Sequence, residues 1–189
     1  MSTGSLSSRT VLLVKHAQPE INASAPPREW VLGARGEEQS RDLARRLRPY
    51  LPVSIVSSPE SKAVQTARIV AGELGIHFQT LDGLEEFDRP SLPIVSRDEH
   101  HRLNAPIFET RSVPVLGRES ADAALRRFNA ALARAFTLTP SSQPLVVITH
   151  GTVIALFIEQ QTGRDAFKVW KSLGCGEFIT LEVADCASR

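Results

Sequence analysis

The segment Pro144-Leu145-Val146-Val147-Ile148-Thr149-His150-Gly151 decides the reading of this chain. Residues 144–149 form a short apolar run without polar alternation, the pattern of a strand covered on both faces, as strands of parallel sheets are. The run passes directly into a histidine and a glycine, after which the spacing predicts a helix from about Thr152 to Gln161. A second run of the same character, Thr10 to Lys15, ends at another histidine, His16.

Helical and extended patterns alternate along the rest of the chain. From Gly36 the apolar residues Leu43, Leu47 and Leu51 recur at helical spacing on a charged segment, which predicts an amphipathic surface helix that Pro52 stops. Val53 to Ser57 reads as a strand. Ser58-Pro59-Glu60 then has the polar residue and early proline of a helix start, and Ala63, Ala67 and Val70 carry the helical register from Ser61 to Leu74, where Gly75 closes it. His77 to Leu81 alternates as a short strand. Glu119 and Ser120 open an Ala-rich helix through Phe136 with Leu125, Phe128, Leu132 and Phe136 on one face, and a short helix at 165–172 precedes a last strand, Glu177 to Val183. Strands alternating with helices predict an α/β protein, a three-layer α/β/α sandwich around a mostly parallel mixed sheet. One domain is expected over residues 1–189. Residues 1–8 are expected to be a flexible tail, residues 19–35 to loop, and residues 87–118, with Pro90, Pro93, Pro106 and Pro114, to form a variable lid lacking regular structure.

Composition narrows the function classes. The chain has 189 residues, 42% of them hydrophobic, enough for a core without a disulfide or metal staple. Lys and Arg number 22 against 21 Asp and Glu, so no global field would draw the chain to nucleic acid or an anionic membrane. No apolar run approaches the ~18 residues of a membrane span, and the polar start MSTGSLSSRT lacks a signal sequence's apolar stretch, so a cytoplasmic location is expected. Cys175 and Cys186 form no CxxC pair and have no histidine-rich neighbourhood, which gives no reason for a metal site.

Ligands of open α/β sheets sit beyond the C-terminal ends of the strands, and parallel strands would place His16 and His150 on one such rim. A single strand-end histidine is more often structural; two of them, with their neighbours, meet the needs of phosphoryl transfer. The attacking atom must be an uncharged nucleophile, which imidazole supplies near neutral pH. Cations must meet the phosphate, and Lys15 and Lys62 stand on the same rim, where they also disfavour imidazolium. His150-Gly151 opens a helix whose free N–H groups suit an anion. His100 and His101 read as surface residues of the lid, with substrate contact or a metal half-site as alternatives, and Gly36, Gln39 and Arg127 read as structural.

These residues resemble the signatures of the histidine phosphatase, or phosphoglycerate mutase-like, superfamily. They run in order: LLVKHAQP around His16; Ser57-Ser58-Pro59 followed by Lys62 and Gln65-Thr66-Ala67; Leu84-Glu85-Glu86; and VVITHG around His150. Weaker echoes are Asn22, Leu32 with Gly36 to Gln39, and Gly117-Arg118-Glu119-Ser120 with Arg127, so the likeness spans residues 10–183. It implies His16 as the nucleophile that becomes phosphohistidine, His150 as a second imidazole on the phosphoryl group, and Glu86 as proton donor, with Glu85 as its rival. It further implies phosphate contacts from Lys15, Lys62, Asn22 and Gly151, no metal, no cofactor, and a small phosphorylated metabolite or a phosphoprotein as partner. Lys15 and Lys62 stand where the family pattern has arginine. Lysine keeps the charge and loses the planar fork, which leaves three readings: a metal-independent phosphomonoesterase, a pseudophosphatase that binds without turnover, and a mutase-type isomerase. The lid residues Arg89, Arg97, Asp98, Glu99, His100, His101 and Arg102 would choose the substrate. Nothing in the sequence fixes an oligomeric state.

Overall fold

The computed structural model describes residues 8–88, 95–140 and 143–184. Five strands, β1 (Ser8–Lys15), β2 (Ser54–Ser57), β3 (His77–Thr80), β4 (Leu145–Thr149) and β5 (Phe178–Ala184), make one sheet in the order β3-β2-β4-β1-β5. β1, β2, β3 and β4 run parallel, and β5 closes the β1 edge antiparallel. The helices are α1 (Ala34–Leu47), α2 (Ser61–Leu74), α3 (Arg97–Glu109), α4 (Ala121–Leu138), α5 (Gly151–Thr162) and α6 (Ala166–Ser172).

Successive strand residues point to opposite faces, and here each face has its own helical layer. Leu12, Val14, Ile55, Val146 and Ile148 pack with Leu43 and Leu47 of α1 and Ala63, Ala67 and Val70 of α2. Val11, Leu13, Val56, Leu145 and Val147 pack with Phe128 of α4, Phe157 of α5 and Trp170 of α6. Double-sided burial is why β1 and β4 read as unbroken apolar runs. The fold is therefore the three-layer α/β/α sandwich expected. Helix ends follow local chemistry: the Ser120 hydroxyl accepts the Ala123 N–H at 3.2 Å to start α4, and Gly75, at φ 69°, ends α2 in a left-handed turn that side chains disfavour.

The structure departs from the sequence reading at three places. α1 ends at Leu47 instead of running to Pro52: residues Arg48–Tyr50 tighten into a 3-10 turn, and Leu51, at φ 50°, is exposed and not on the buried face. β1 begins at Ser8, not Thr10, because Ser8 and Arg9 pair with Ala184 and Val183 of β5 and Arg9 is buried. Of the expected tail, residues 1–7 lie outside the described residues. The 87–118 stretch is not devoid of regular structure: α3 occupies its middle. Ser96 caps α3 by accepting the Glu99 N–H at 3.2 Å, and Asp98 and Glu99 sit in its first turn, where helices favour acids. Packing then outweighs weak periodicity. His100 stacks on Trp170 with ring centroids 5.4 Å apart, and Phe108 lies 5.7 Å from the same ring, so α3 is fastened to α6. Pro106 removes one N–H from the ladder, opposite the carbonyl of the exposed Arg102. Arg89, Pro90, Pro93 and Cys186 lie outside the described residues. Among the described residues, no helix is long and apolar enough to cross a membrane.

Candidate active site

The β1/β4 register, with Lys15 opposite Thr149, brings the two histidines off the sheet side by side. Their ring centroids are 5.1 Å apart, and the His16 N–H donates to the Thr149 carbonyl at 2.9 Å. His16 Nδ1 is 2.8 Å from the Ala17 carbonyl oxygen, which can only accept, so Nδ1 carries the hydrogen and Nε2 keeps its lone pair. The loop behind His16 is held by residues of the other motifs. Ala17 N–H donates to Thr66 Oγ1 at 3.0 Å, Gln18 N–H to Gln39 Oε1 at 2.8 Å, and Leu32 N–H to Gln65 Oε1 at 2.6 Å. Gly36 is required by contact: a Cβ there would stand 2.2 Å from the Gln18 carbonyl oxygen.

His150 is fully buried. Its Nε2 is 2.8 Å from Ser58 Oγ and 3.5 Å from Glu60 Oε1, while Nδ1 has no hydrogen-bond partner among the described residues. Ser58 Oγ also accepts the Glu60 N–H at 3.2 Å. Lys62 is buried too, its ammonium donating to the Pro27 carbonyl at 2.8 Å and to Glu60 Oε2. Ser58 and Glu60 carry no role in the sequence reading, which took Ser58-Pro59-Glu60 as a helix start. The only signal was an acid beside Lys62 in a motif already recognised.

Glu86 lies across the α5 N-terminus, where its Oε2 accepts the Thr152 N–H at 3.2 Å and its Oε1 accepts the Phe87 N–H at 2.9 Å. Its own N–H donates to Glu60 Oε1 at 2.8 Å. Glu85 turns instead toward Arg127, 3.5 Å away, and its carboxylate accepts the Gly83 N–H at 2.6 Å. Arg127 bolts this loop to α4: it donates to the carbonyls of Gly83, Glu85 and Glu86 at 3.0, 3.0 and 3.2 Å, and binds Glu119 with a fork of 2.9 and 2.8 Å. Burial opposes the Arg127 charge, yet the carboxylates of Glu119, Glu85 and Glu86 together outweigh it and raise the guanidinium's proton affinity. Arg127 is thus structural, as read, and it also lines the cavity.

That cavity has a volume of about 740 Å³, with His16, His150, Lys62, Glu60 and Glu86 on one side and Trp30 among its outer walls. Burial is the first cause holding the His16 imidazole well below its ordinary value, followed by the neighbouring His150, Lys62 and Lys15; the bond to Ala17 opposes them. His150 is lowered in the same way by burial, then by Lys62, Arg127 and Lys15. Both rings are neutral at pH 7. Lys15 does not line the cavity: its ammonium donates to the Leu173 carbonyl at 2.8 Å. Gly151 does not line it either, a Cβ there meeting Lys15 Cε and the Trp170 ring at 3.4 Å. Nor is Asn22 brought to it; that residue is exposed and its side chain closes a turn by accepting the Ser24 N–H at 2.9 Å, the habit of loop asparagines. His100 and His101 pack on Trp170, away from the cavity lining. Among the described residues no group of three or more His, Cys, Asp or Glu is placed to hold a metal ion.

Comparison with known proteins converges on one family. The sequence pattern of the histidine phosphatase superfamily (branch 1) matches residues 11–185. A curated relative, a probable phosphoglycerate mutase of Salmonella paratyphi A, is 27% identical over 165 residues, covering 83% of this chain and 76% of its own. Among solved structures, mycobacterial hydrolase 1 superposes with a TM-score of 0.75 at 20% identity, over 96% of this chain and 94% of its own. A mycobacterial glucosyl-3-phosphoglycerate phosphatase superposes with a TM-score of 0.68 at 21% identity, over 89% and 85%. At such identities the superpositions speak for the fold.

Proposed function

Because the chain belongs to the histidine phosphatase superfamily, we propose that it hydrolyses phosphomonoesters through a phosphohistidine on His16, without a metal. The observation that carries this reading is the buried pair of neutral imidazoles on one wall of a cavity large enough for a substrate, with His16 tied through Nδ1 so that Nε2 is the free nucleophile. The Nε2 lone pair attacks phosphorus, the bond from phosphorus to the ester oxygen breaks, and Glu86 gives that oxygen a proton. Water then attacks the phosphohistidine, Glu86 takes the water's proton, the N–P bond breaks and inorganic phosphate leaves. Glu86 is favoured over Glu85 because it faces the α5 start beside His150, whereas Glu85 is engaged with Arg127.

The two wall residues divide the remaining work. Ser58 Oγ, 2.8 Å from His150 Nε2, holds the second imidazole beside the His16 ring, where its N–H can meet a phosphoryl oxygen. Such a preplaced donor acts where charge develops and needs no reorganisation during reaction. Lys62 supplies the adjacent cation, and Lys15 acts from behind, its charge helping to keep both imidazoles neutral. The cavity far exceeds a phosphoryl group, which supports a substrate with a sizeable leaving group held between Pro27, Trp30 and Phe87.

The test is hydrolysis of p-nitrophenyl phosphate with EDTA present, comparing the native protein with His16→Ala. Turnover by the native protein, its inhibition by orthovanadate and its loss in the variant are expected. A folded but inactive native protein would favour phosphate-ligand binding without turnover. Transfer between the carbons of phosphoglycerate without phosphate release would favour a mutase, the activity named for the Salmonella relative.

A further inference from the structure

The Glu60 carboxylate stands beside the cation that a phosphoryl oxygen needs. An ammonium has three N–H donors, and at Lys62 one goes to the Pro27 carbonyl and another to Glu60 Oε2. Glu60 Oε1 accepts the Glu86 N–H at 2.8 Å and lies 3.5 Å from His150 Nε2. The Glu60 side chain is only 10% exposed, that of Lys62 only 7%, and both line the cavity. The carboxylate is therefore fixed from the loop that carries the proton donor, next to the second imidazole and against the cation, and its charge has the sign of the ligand's.

We propose that Glu60 is a further residue of the phosphoryl site, a resident carboxylate that competes with the phosphoryl group for Lys62 and so limits how tightly inorganic phosphate, the product, is held. This rests on the phosphatase reading above. Free phosphate brings a dianion to a cation already paired and finds nothing else to hold. A phosphomonoester meets the same repulsion, yet its leaving group also contacts the walls at Pro27, Trp30 and Phe87. Glu60 thus weakens both alike, and the product, which has lost the wall contacts of the leaving group, is the one that leaves readily.

The experiment is calorimetric titration of inorganic phosphate into the native protein, Glu60→Gln, Lys62→Met and the double variant, with circular dichroism as the check on folding. In Glu60→Gln the amide oxygen still accepts the Glu86 N–H, so the loop keeps its anchor while the charge is gone. Phosphate should bind Glu60→Gln at least about tenfold tighter than native, because Lys62 is then free of its carboxylate partner. The gain should vanish when Lys62 is also Met. Glu60→Ala, which puts no amide against the ammonium, should tighten binding as well, and it serves if Glu60→Gln fails to fold. Equal or weaker phosphate binding by the folded Glu60 variants, with His16-dependent turnover intact in the native protein, would overturn the proposal and leave the phosphatase reading standing. Absence of phosphate binding and of turnover in every folded form would overturn both.

Discussion

Mild acid should destabilise this protein through its two site histidines. His16 and His150 are both held well below the ordinary value of 6.5, first by burial and then by cations that include Lys62 and Lys15. In the unfolded chain each imidazole regains a value of about 6.5. Below that pH the unfolded state binds protons that the folded state refuses, so stability falls as pH falls. The contribution is fully present above about pH 6.5 and is lost below it until the folded-state values are reached. From about pH 6 to about pH 5, each imidazole that stays neutral in the fold lowers stability by about 1 kcal/mol, and the pair by about 2 kcal/mol.

Urea unfolding at the two pH values, for native protein, His16→Asn and His150→Asn, measures this directly. Protonating carboxylates add to the drop in all three proteins and cancel in the comparison. Each variant should lose about 1 kcal/mol less than native over the interval. Equal drops in native and both variants would refute the claim that these rings are held neutral. The same chemistry bears on rate: a nucleophile neutral well below 6.5 should leave no acid limb in kcat/KM centred at that value.

Two substitutions test the scaffold around the site. Arg127→Met removes a fork to Glu119 and the donors to three loop carbonyls; leaving the carboxylate and carbonyls unpaired should cost about 3 kcal/mol in urea unfolding, and kcat should fall more than KM rises because the loop carries Glu86. Gly36→Ala forces a Cβ into the Gln18 carbonyl and should cost about 1–3 kcal/mol while slowing turnover through the His16 loop. Gly72→Ala is its control, a site in α2 where a Cβ meets nothing within 4 Å: there the gain in helix propensity should stabilise by about 0.5–1 kcal/mol, and loss of stability would show that the packing of α2 has been misread.

What the sequence made legible follows from how each feature is encoded. β1 and β4 were readable because burial on both faces forces unbroken apolar runs, and their parallel pairing then put His16 and His150 together without further information. Gly36, Gln39, Gln65 and Thr66 were visible as motif residues, while the reason for them, gripping the backbone of residues 17, 18 and 32, needed coordinates. α3 was hidden because its packing onto Trp170 comes from an element some seventy positions away in sequence. Asn22 shows the opposite error, since an asparagine at a suggestive spacing is spent on its own turn. Glu60 was hidden for a further reason: its neighbours come from β4, from the 83–86 loop and from its own helix start, and only the fold brings those together.

The way the site is built divides it into a fixed end and an adaptable end. At the phosphoryl end every group is anchored to the sheet rim or a helix start: His16 by Thr149 and Ala17, His150 by Ser58, Glu86 by Thr152. The outer wall comes from loops instead, with Trp30 held by its indole N–H to the carbonyls of Asn22 and Ala25 at 2.9 and 3.0 Å and by its backbone N–H to the Pro27 carbonyl at 3.3 Å, and with Arg28 and Arg118 exposed. Catalysis by positioning needs the first kind of construction, since a displaced nucleophile or donor loses the alignment on which the rate depends. Loops tolerate substitution without disturbing the sheet. On the phosphatase reading, changes of leaving-group preference can therefore arise at the Pro26–Trp30 wall and around Arg118 while the imidazole pair stays as it is.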